Sequence, residues 1–296
     1  MKNIFSKIKD RLNFTSHKIK NNIYIKNNLE SLKNFDSASL GADDDLPLFQ
    51  GRPAVVYIIA STERSGSSFL ARGLASTNLA GNPSEFFKER RFYSLKQRWK
   101  VLSDEFMMQL FANRTSPNGI CGIKIHGDII ESTRNYWEPY VNKFILIERK
   151  DKISQGISFF KANLTNSWSS KNHPEKFLNL HDYDFVKIAE SIALLIDHSA
   201  KWIDYFTSRQ IKPVKILYED LEQNPQKTVA ETMQDAFGIT IDPDIVSFNN
   251  LKRQRDELSD YYKQRFLEDF TSKRNILSGD IRGKIDKEIR IYNSQL

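Results

Sequence analysis

Residues 61–68, Ser-Thr-Glu-Arg-Ser-Gly-Ser-Ser, have the composition of an anion-binding turn. They follow an apolar run at 54–60 and lead into a segment with helical character. A small, glycine-containing turn at a helix N-terminus directs backbone N–H groups and the positive end of the helix dipole at one point. Arg64 adds a fixed positive charge, and the hydroxyls of Ser67 and Ser68 add donors. The segment therefore predicts a site for a small anion.

This turn differs from the Walker A motif. That motif has the form G-x-x-x-x-G-K-[ST], and here no lysine precedes the hydroxyl residues. An ATP or GTP hydrolase is therefore disfavoured, although the physical basis for holding a phosphate or a related anion is present.

Further segments with chemical side chains follow in order along the chain. They are GNPSEFF at 81–87, GIKIH at 122–126, residues 149–158 beginning Arg-Lys-Asp-Lys, YEDL at 218–221 and RQRD at 253–256. Together with the turn they resemble the bacterial trehalose 2-sulfotransferase-like family, whose members are often labelled lipopolysaccharide sulfotransferases. The resemblance covers about residues 54–270. It implies a P-loop NTPase-like sulfotransferase fold and transfer of a sulfonate group from 3′-phosphoadenosine 5′-phosphosulfate (PAPS) to a hydroxyl of a carbohydrate or glycolipid.

The resemblance also implies which residues bind the donor. The turn would cradle the 5′-phosphosulfate, with Arg64 against the transferring group, while Arg149 and Ser158 would hold the 3′-phosphate that distinguishes PAPS from ATP. In the register of the cytosolic sulfotransferases Lys150 would be the phosphate ligand instead, and we favour Arg149. No metal is expected. The predicted donor-binding residues are Thr62, Arg64, Ser65, Gly66, Ser67, Ser68, Arg149 and Ser158.

Glu63 departs from the family pattern, in which this position is usually uncharged. A carboxylate beside a phosphosulfate would repel it. We therefore expect the Glu63 side chain to point away from the anion.

Two residues are candidates for the general base that takes the proton of the acceptor hydroxyl. Glu85 occupies the position where the family places its base, and we expect the flanking Phe86 and Phe87 to raise its pKa by desolvation. His126 is the rival, because Lys124-x-His126 resembles the Lys-x-His of cytosolic sulfotransferases. We rank Glu85 above His126. The predicted catalytic residues are Glu85, His126, Arg64 and Lys124, with Lys124 lining the sulfonate site.

The elements that must position these residues alternate between strand and helix. Short apolar runs predict strands at 54–60, 120–125, 143–147 and 214–217. Helical patterns predict helices at about 67–77, 151–163, 183–207 and 225–237. Residues 164–182 are predicted to form a long polar loop, in which Trp168 is a candidate for stacking on the adenine or on a sugar ring. The alternation predicts an α/β protein in which a parallel sheet is flanked by helices and binds ligands at the carboxyl ends of its strands.

The ends of the chain carry its basic character. The net charge is +7, and residues 1–30 hold seven Lys or Arg against two acidic residues, so the body is close to neutral and a nucleic-acid track is disfavoured. We predict a basic amphipathic arm and linker at 1–53 and a sulfotransferase domain at 54–296. The arm would pack on the body of its own chain, on a partner subunit to give a homodimer, or on an anionic membrane surface.

The cellular setting follows from two further features. The single cysteine, Cys121, excludes an intramolecular disulfide, and no secretory signal or membrane-spanning run is present. The predicted location is cytoplasmic, with peripheral contact at the inner face of the membrane as an addition. A P-loop nucleotide or sugar kinase and a catalytically inactive carbohydrate-binding relative are the alternative functions.

Overall fold

The computed structural model describes residues 45–168, 175–248 and 256–294. Of the predicted arm and linker, only residues 45–53 belong to the described residues. Arg253, which the sequence makes a candidate ligand of the 3′-phosphate of PAPS or of the acceptor, also lies outside the described residues. Asp45 forms ion pairs with Arg98 and with the fully buried Arg114, the latter at 2.8 Å. The end of the predicted linker is therefore attached to the body of the protein, and the boundary at residue 53 stays a prediction.

Four parallel strands form the sheet, in the order β2-β1-β3-β4. They are β1 (Val55–Ser61), β2 (Ile120–His126), β3 (Lys143–Glu148) and β4 (Val214–Leu217). These bounds agree with the four predicted strands to within about one residue at each end. Parallel pairing brings all four carboxyl ends to one edge of the sheet, where β1 and β2 end opposite each other at Ser61 and His126.

Helices cover both faces of this sheet. The α-helices of the described residues are α1 (Ser67–Ser76), α2 (Glu89–Trp99), α3 (Phe106–Arg114), α4 (Ile130–Trp137), α5 (Lys152–Thr165), α6 (Phe185–Ser208), α7 (Tyr218–Gln223), α8 (Pro225–Phe237), α9 (Glu257–Lys273) and α10 (Gly279–Asn293). One apolar cluster packs α3, α4 and α6 on the sheet, and a second packs α1 and α8 on its other face. A third joins α5, α6, α9 and α10. The predicted class, a parallel sheet flanked by helices, is confirmed.

Helix α6 is the longest described helix, with 24 residues. It begins after Asp184, whose side chain accepts a hydrogen bond from the backbone N–H of Lys187, as an N-cap residue does. Within the described part of the chain, neither this helix nor any other has the length and apolarity needed to cross a bilayer.

The segment at 81–87 lies along the outer edge of β2. Ser84 forms a parallel bridge with Ile123, and the backbone N–H of Lys124 donates to Ser84 O at 2.9 Å. Gly81 makes this approach possible, because its φ is +67° and a Cβ there would lie 2.8 Å from the carbonyl oxygens of Arg114 and Ile120. The chain is thereby held where residue 85 meets the side chains at the end of β2.

Candidate active site

The turn at 62–66 connects β1 to α1 in a left-handed backbone conformation. Gly66, which precedes α1, has φ +87°, and Arg64 also has a positive φ, of 59°. Ser65 Oγ donates to Thr62 O at 2.8 Å, and Gln155 of α5 donates both to Thr62 Oγ1 at 2.8 Å and to Glu63 O at 2.7 Å. The turn is therefore fixed from within and from α5, and the first N–H groups of α1 point to the carboxyl edge of the sheet.

Two arginines converge beside this turn. Arg64 Nε donates to Ser158 Oγ at 2.9 Å, and Arg64 Nη1 donates to Trp168 O at 2.9 Å. The Arg149 guanidinium stacks 4.6 Å from the centre of the Tyr218 ring, and its Nη1 lies 3.5 Å from Arg64 O. Burial and the nearby charge of Arg149 lower the pKa of Arg64 to about 10. Two cations held this close repel each other, and a bound anion would relieve that repulsion.

Arg149 also carries a donor suited to such a ligand. Its Nε is buried and has no hydrogen-bond partner among the described residues. Lys150, the alternative ligand, has an exposed side chain, while its backbone N–H donates to the Glu219 carboxylate at 3.1 Å and 3.2 Å. Glu219 accepts from the N–H of Asp151 as well, at 3.3 Å. The Glu219 carboxylate thus shapes the loop after β3. The choice of Arg149 over Lys150 as the phosphate ligand stays a prediction.

Lys124 joins the turn to the segment at 81–87. Its Nζ lies 2.6 Å from Glu85 Oε1 and donates to Ser68 Oγ at 2.6 Å, although its side chain is only 4% exposed. Burial lowers the pKa of Lys124, against the opposing effect of Glu85. A buried ammonium group is stable only when it is paired and hydrogen-bonded, and this one has both kinds of partner.

More positive charge surrounds the Glu85 carboxylate than the sequence indicates. Besides Lys124, Lys88 Nζ lies 3.2 Å from its Oε2. Burial acts to raise the pKa of the Glu85 carboxyl, but the charges of Lys124, His126 and Lys88 outweigh it and hold the pKa below its ordinary value. The predicted rise of this pKa is therefore wrong: Phe86 and Phe87 are buried, but the ion pairs decide the protonation state.

His126 lies between two carboxylates. Its Nε2 is 3.6 Å from Glu85 Oε1, and its Nδ1 is 4.0 Å from Glu63 Oε1. Neither ring nitrogen has a hydrogen-bond partner within the described residues. Burial lowers the pKa of His126 to about 4, so the ring is neutral at neutral pH. Both predicted base candidates thus lie at one site, where Lys124 connects Glu85 to Ser68 and His126 faces Glu63 of the turn.

The side chain of Glu63 turns toward His126 and α6. Its Oε2 lies 3.1 Å from His198 Nδ1. Burial opposes ionisation, yet the hydrogen bond from His198 and the two imidazoles lower the pKa of Glu63 to about 2. The sequence analysis missed His198. Its only signal is a lone histidine on the apolar face of a long helical pattern.

One group of possible metal ligands adjoins this site within the described residues. Single ligand atoms of Glu63, His126 and Asp128 lie within 4.8 Å of one another. Neighbouring ligands on an ion bound at about 2.1 Å are separated by about 3 Å. A separation of up to 4.8 Å between ligand atoms is wider than a formed metal site requires. The expectation that the protein binds no metal stays a prediction.

Sequence and structure comparisons identify relatives of the chain. The sequence model described as Stf0 sulphotransferase matches residues 56–119 and 139–269. The trehalose 2-sulfotransferases of Mycobacterium tuberculosis and Mycolicibacterium smegmatis are 27% and 25% identical over 254 and 260 residues, which cover 71% and 72% of this chain and 93% and 94% of those proteins.

Solved structures of low sequence identity are also similar. The sulfotransferase domain of the Synechococcus PCC 7002 olefin synthase has a TM-score of 0.43 at 15% identity and covers 75% of this chain and 96% of its own. The family match alone spans about two thirds of the 296 residues, including the turn, Glu85, Arg149 and Ser158. The chain therefore belongs to the Stf0 sulphotransferase family and is a sulfotransferase.

Proposed function

We propose that this protein transfers the sulfonate group of PAPS to a hydroxyl group of a carbohydrate, either free or as part of a glycolipid. The observation that carries the proposal is the position of Lys124, whose Nζ contacts both Ser68 of the anion-binding turn and the Glu85 carboxylate at 2.6 Å. One buried cation thus links the donor-binding turn to a base. The carbohydrate acceptor is supported by the two similar proteins, which are trehalose 2-sulfotransferases.

The residues around the turn fit the two anionic ends of PAPS. The N-terminus of α1 and Arg64 would hold the 5′-phosphosulfate, whose activated sulfonate is the group transferred. Arg149 and Ser158 would hold the 3′-phosphate, which the buried, unpartnered Nε of Arg149 supports. Arg64 Nε donates to Ser158 Oγ, so the two proposed anion sites would adjoin each other at this contact.

Glu85 and Lys124 supply the chemistry of transfer. Sulfonate transfer resembles phosphoryl transfer, in which catalysis comes from alignment and charge stabilisation. Because its pKa is lowered by its cationic neighbours, Glu85 is ionised at neutral pH and ready to accept the acceptor proton. Lys124 lies beside it and would stabilise negative charge as the bond to the phosphate breaks.

The indole of Trp168 is a candidate contact for the acceptor. Its side chain is 39% exposed, and Lys88 Nζ, which also contacts Glu85, lies 5.9 Å from the ring centre. A partly exposed aromatic ring near Lys88, which contacts Glu85, would suit the apolar face of a sugar ring. We therefore assign Trp168 to the acceptor side of the site.

A direct assay tests the proposal. The purified protein is incubated with PAPS and a panel of carbohydrates that includes trehalose, and mass spectrometry detects adenosine 3′,5′-bisphosphate and an acceptor that has gained a sulfonate. A parallel reaction contains ATP and Mg²⁺. Formation of ADP without the bisphosphate would identify a kinase, and formation of neither would identify an inactive relative.

Assembly and location form a separate part of the proposal. A homodimer and peripheral contact with the inner face of the membrane, both through residues 1–29, would fit the basic amphipathic sequence of the arm. Light scattering on the full chain and on a deletion of residues 1–29 measures the first. Co-sedimentation with anionic vesicles, compared with neutral ones, measures the second. A full-length monomer would exclude the dimer, and equal sedimentation of both proteins would exclude the arm as membrane contact.

A further inference from the structure

The imidazole of His126 carries one ring N–H proton and lies between two carboxylates, either of which could be the one it faces. It is neutral at neutral pH, so one ring nitrogen is an N–H donor and the other is an acceptor. Glu63 faces Nδ1 at 4.0 Å, and Glu85 faces Nε2 at 3.6 Å. Which nitrogen carries the proton decides what His126 can do for Glu85.

The two carboxylates differ in how far their charge is compensated. Glu85 is paired with Lys124 at 2.6 Å and with Lys88 at 3.2 Å. Lys124 contacts the same Oε1 atom that faces His126. His126 and His198 contact the Glu63 carboxylate, and its hydrogen bond comes from His198 Nδ1, which must be the donor because an ionised carboxylate only accepts. Lys88 and Asp128 also act on Glu63 through their charges. Glu85 acts more strongly on His126 than Glu63 does, but the charges of Lys124 and Lys88 oppose the effect of Glu85 on the ring. We therefore take Glu63 as the carboxylate whose charge is less compensated.

The fold holds Glu63 in this position from two sides. Its backbone oxygen accepts from Gln155 of α5, and its Oε2 is bonded to His198 of α6. Helix α6 reaches this depth because Gly127 follows β2: a Cβ at that position would lie 2.0 Å from His198 O. The remaining charged neighbour of His126 is Asp128, which is exposed.

We propose that Glu63 is a positioning residue that holds His126 with its proton on Nδ1, toward Glu63, and leaves the Nε2 lone pair facing Glu85. An orienting carboxylate fixes an imidazole tautomer in this way in hydrolytic triads. This arrangement also accounts for a carboxylate in a turn that otherwise collects positive charge.

The catalytic consequence rests on the proposed function. As the acceptor oxygen forms its bond to sulfur and the bond from sulfur to the phosphate oxygen breaks, the hydroxyl proton passes to Glu85. Glu85 then passes it to His126 Nε2, and the resulting imidazolium lies between two carboxylates. The proton leaves by the same route, because Glu85 is 23% exposed whereas the His126 side chain is 6% exposed. His126 thus acts as a proton store that keeps Glu85 anionic beside Lys124.

Nitrogen-15 NMR of the histidine-labelled full chain reads the tautomer directly. His126→Asn assigns the resonances of this ring among the five histidines. We expect a protonated Nδ1 and an unprotonated Nε2 at neutral pH, and in Glu63→Gln we expect protonation to move to Nε2 in part or wholly. Asp128→Asn removes the same charge from a neighbouring carboxylate and should leave the wild-type tautomer. A protonated Nε2 in the wild-type protein would overturn the proposal, even if Glu63→Gln did not fold.

Kinetics separates positioning from a structural role. Glu63→Gln should lower kcat by about 10-fold to 100-fold, as loss of an orienting partner does, with the affinity for adenosine 3′,5′-bisphosphate unchanged. An unchanged kcat with a shifted tautomer would refute the proton store. If the wild-type protein transfers no sulfonate at all, the proposed function fails while the NMR result still decides the role of Glu63.

Discussion

The ring of Tyr218 occupies the space that any side chain at Gly66 would need. A Cβ built on Gly66 would lie 2.4 Å from Tyr218 Cδ2. The same ring stacks against the Arg149 guanidinium, and the next residue, Glu219, accepts the N–H groups that follow Arg149. The YEDL segment therefore supports both the turn at 62–66 and the loop after β3.

Gly66→Ala should destabilise the protein and weaken donor binding together. The left-handed backbone costs a non-glycine residue about 1–2 kcal/mol, and displacement of Tyr218 adds an overpacking cost of about 1–3 kcal/mol. Gly238→Ala is the matched control, because its φ is +70° and no atom lies within 4 Å of the added Cβ. Urea unfolding and calorimetry with adenosine 3′,5′-bisphosphate measure both effects. Equal losses of stability in the two variants would show that the Tyr218 contact is not limiting.

Arg149→Ala should weaken binding of adenosine 3′,5′-bisphosphate by about 1.5–3 kcal/mol, the range for a charge-assisted hydrogen bond. Binding of AMP, which lacks the 3′-phosphate, should hardly change. Lys150→Ala removes a neighbouring positive charge whose side chain is exposed, and it should bind the bisphosphate normally. Calorimetric titration of the wild-type protein and the two variants with the bisphosphate and with AMP makes the comparison. A loss of affinity for the bisphosphate in the Lys150 variant alone would reverse the assignment.

Glu85→Gln should bind the bisphosphate normally and lose turnover by about 10²-fold to 10⁴-fold, because glutamine keeps the shape but cannot accept the proton. His126→Asn should lose less, since the carboxylate that takes the proton first remains. Single-turnover rates with PAPS and a confirmed acceptor make the comparison. Full turnover in Glu85→Gln together with an inactive, folded His126→Asn would make His126 the direct base.

Acidification should lower the free energy of unfolding of the protein, and part of this loss should depend on His126. The unfolded ring binds a proton below its ordinary pKa of 6.5, whereas the folded ring resists protonation until pH about 4. The unfolded state therefore binds more protons in this window, and stability falls by about 2 kcal/mol from pH 7 to pH 5 on account of this group. His126→Asn should flatten the urea-unfolding profile over that range. The exposed His181→Asn should not, and an unchanged profile in His126→Asn would contradict the assignment.

The sheet could be predicted from sequence because its strands are short apolar runs bounded by turn residues. Helices α2 and α3 could not. Helix α2 has an amphipathic period, but it is so rich in charge that no apolar run marks it in the sequence. Helix α3 buries Phe106, Met107, Leu110 and Phe111 on adjoining faces and has no clear period, so tertiary packing determines it.

The sequence predicts a set of candidate site residues but not the contacts between them. Alternation along β2 correctly places the side chains of Lys124 and His126 together. The ion pair of Lys124 with Glu85 joins positions 39 residues apart, and the bond of His198 to Glu63 spans 135 residues. No local pattern encodes such pairs. The predicted direction of the Glu85 pKa shift was therefore wrong, and the contact of His198 on α6 with Glu63 was missed.

The bridge between Ser84 and Ile123 has a consequence for solubility. Strand β2 is fully buried and lies at one end of the sheet, so without a neighbour its outer edge would offer unpaired N–H and C=O groups on an apolar strand. Such edges pair with other chains and aggregate. The segment that carries Glu85 covers this edge through the bridge at Ser84 and the bond from the Lys124 N–H. Substitutions that loosen residues 81–84 should therefore cause self-association of the protein before any loss of its donor site is measurable.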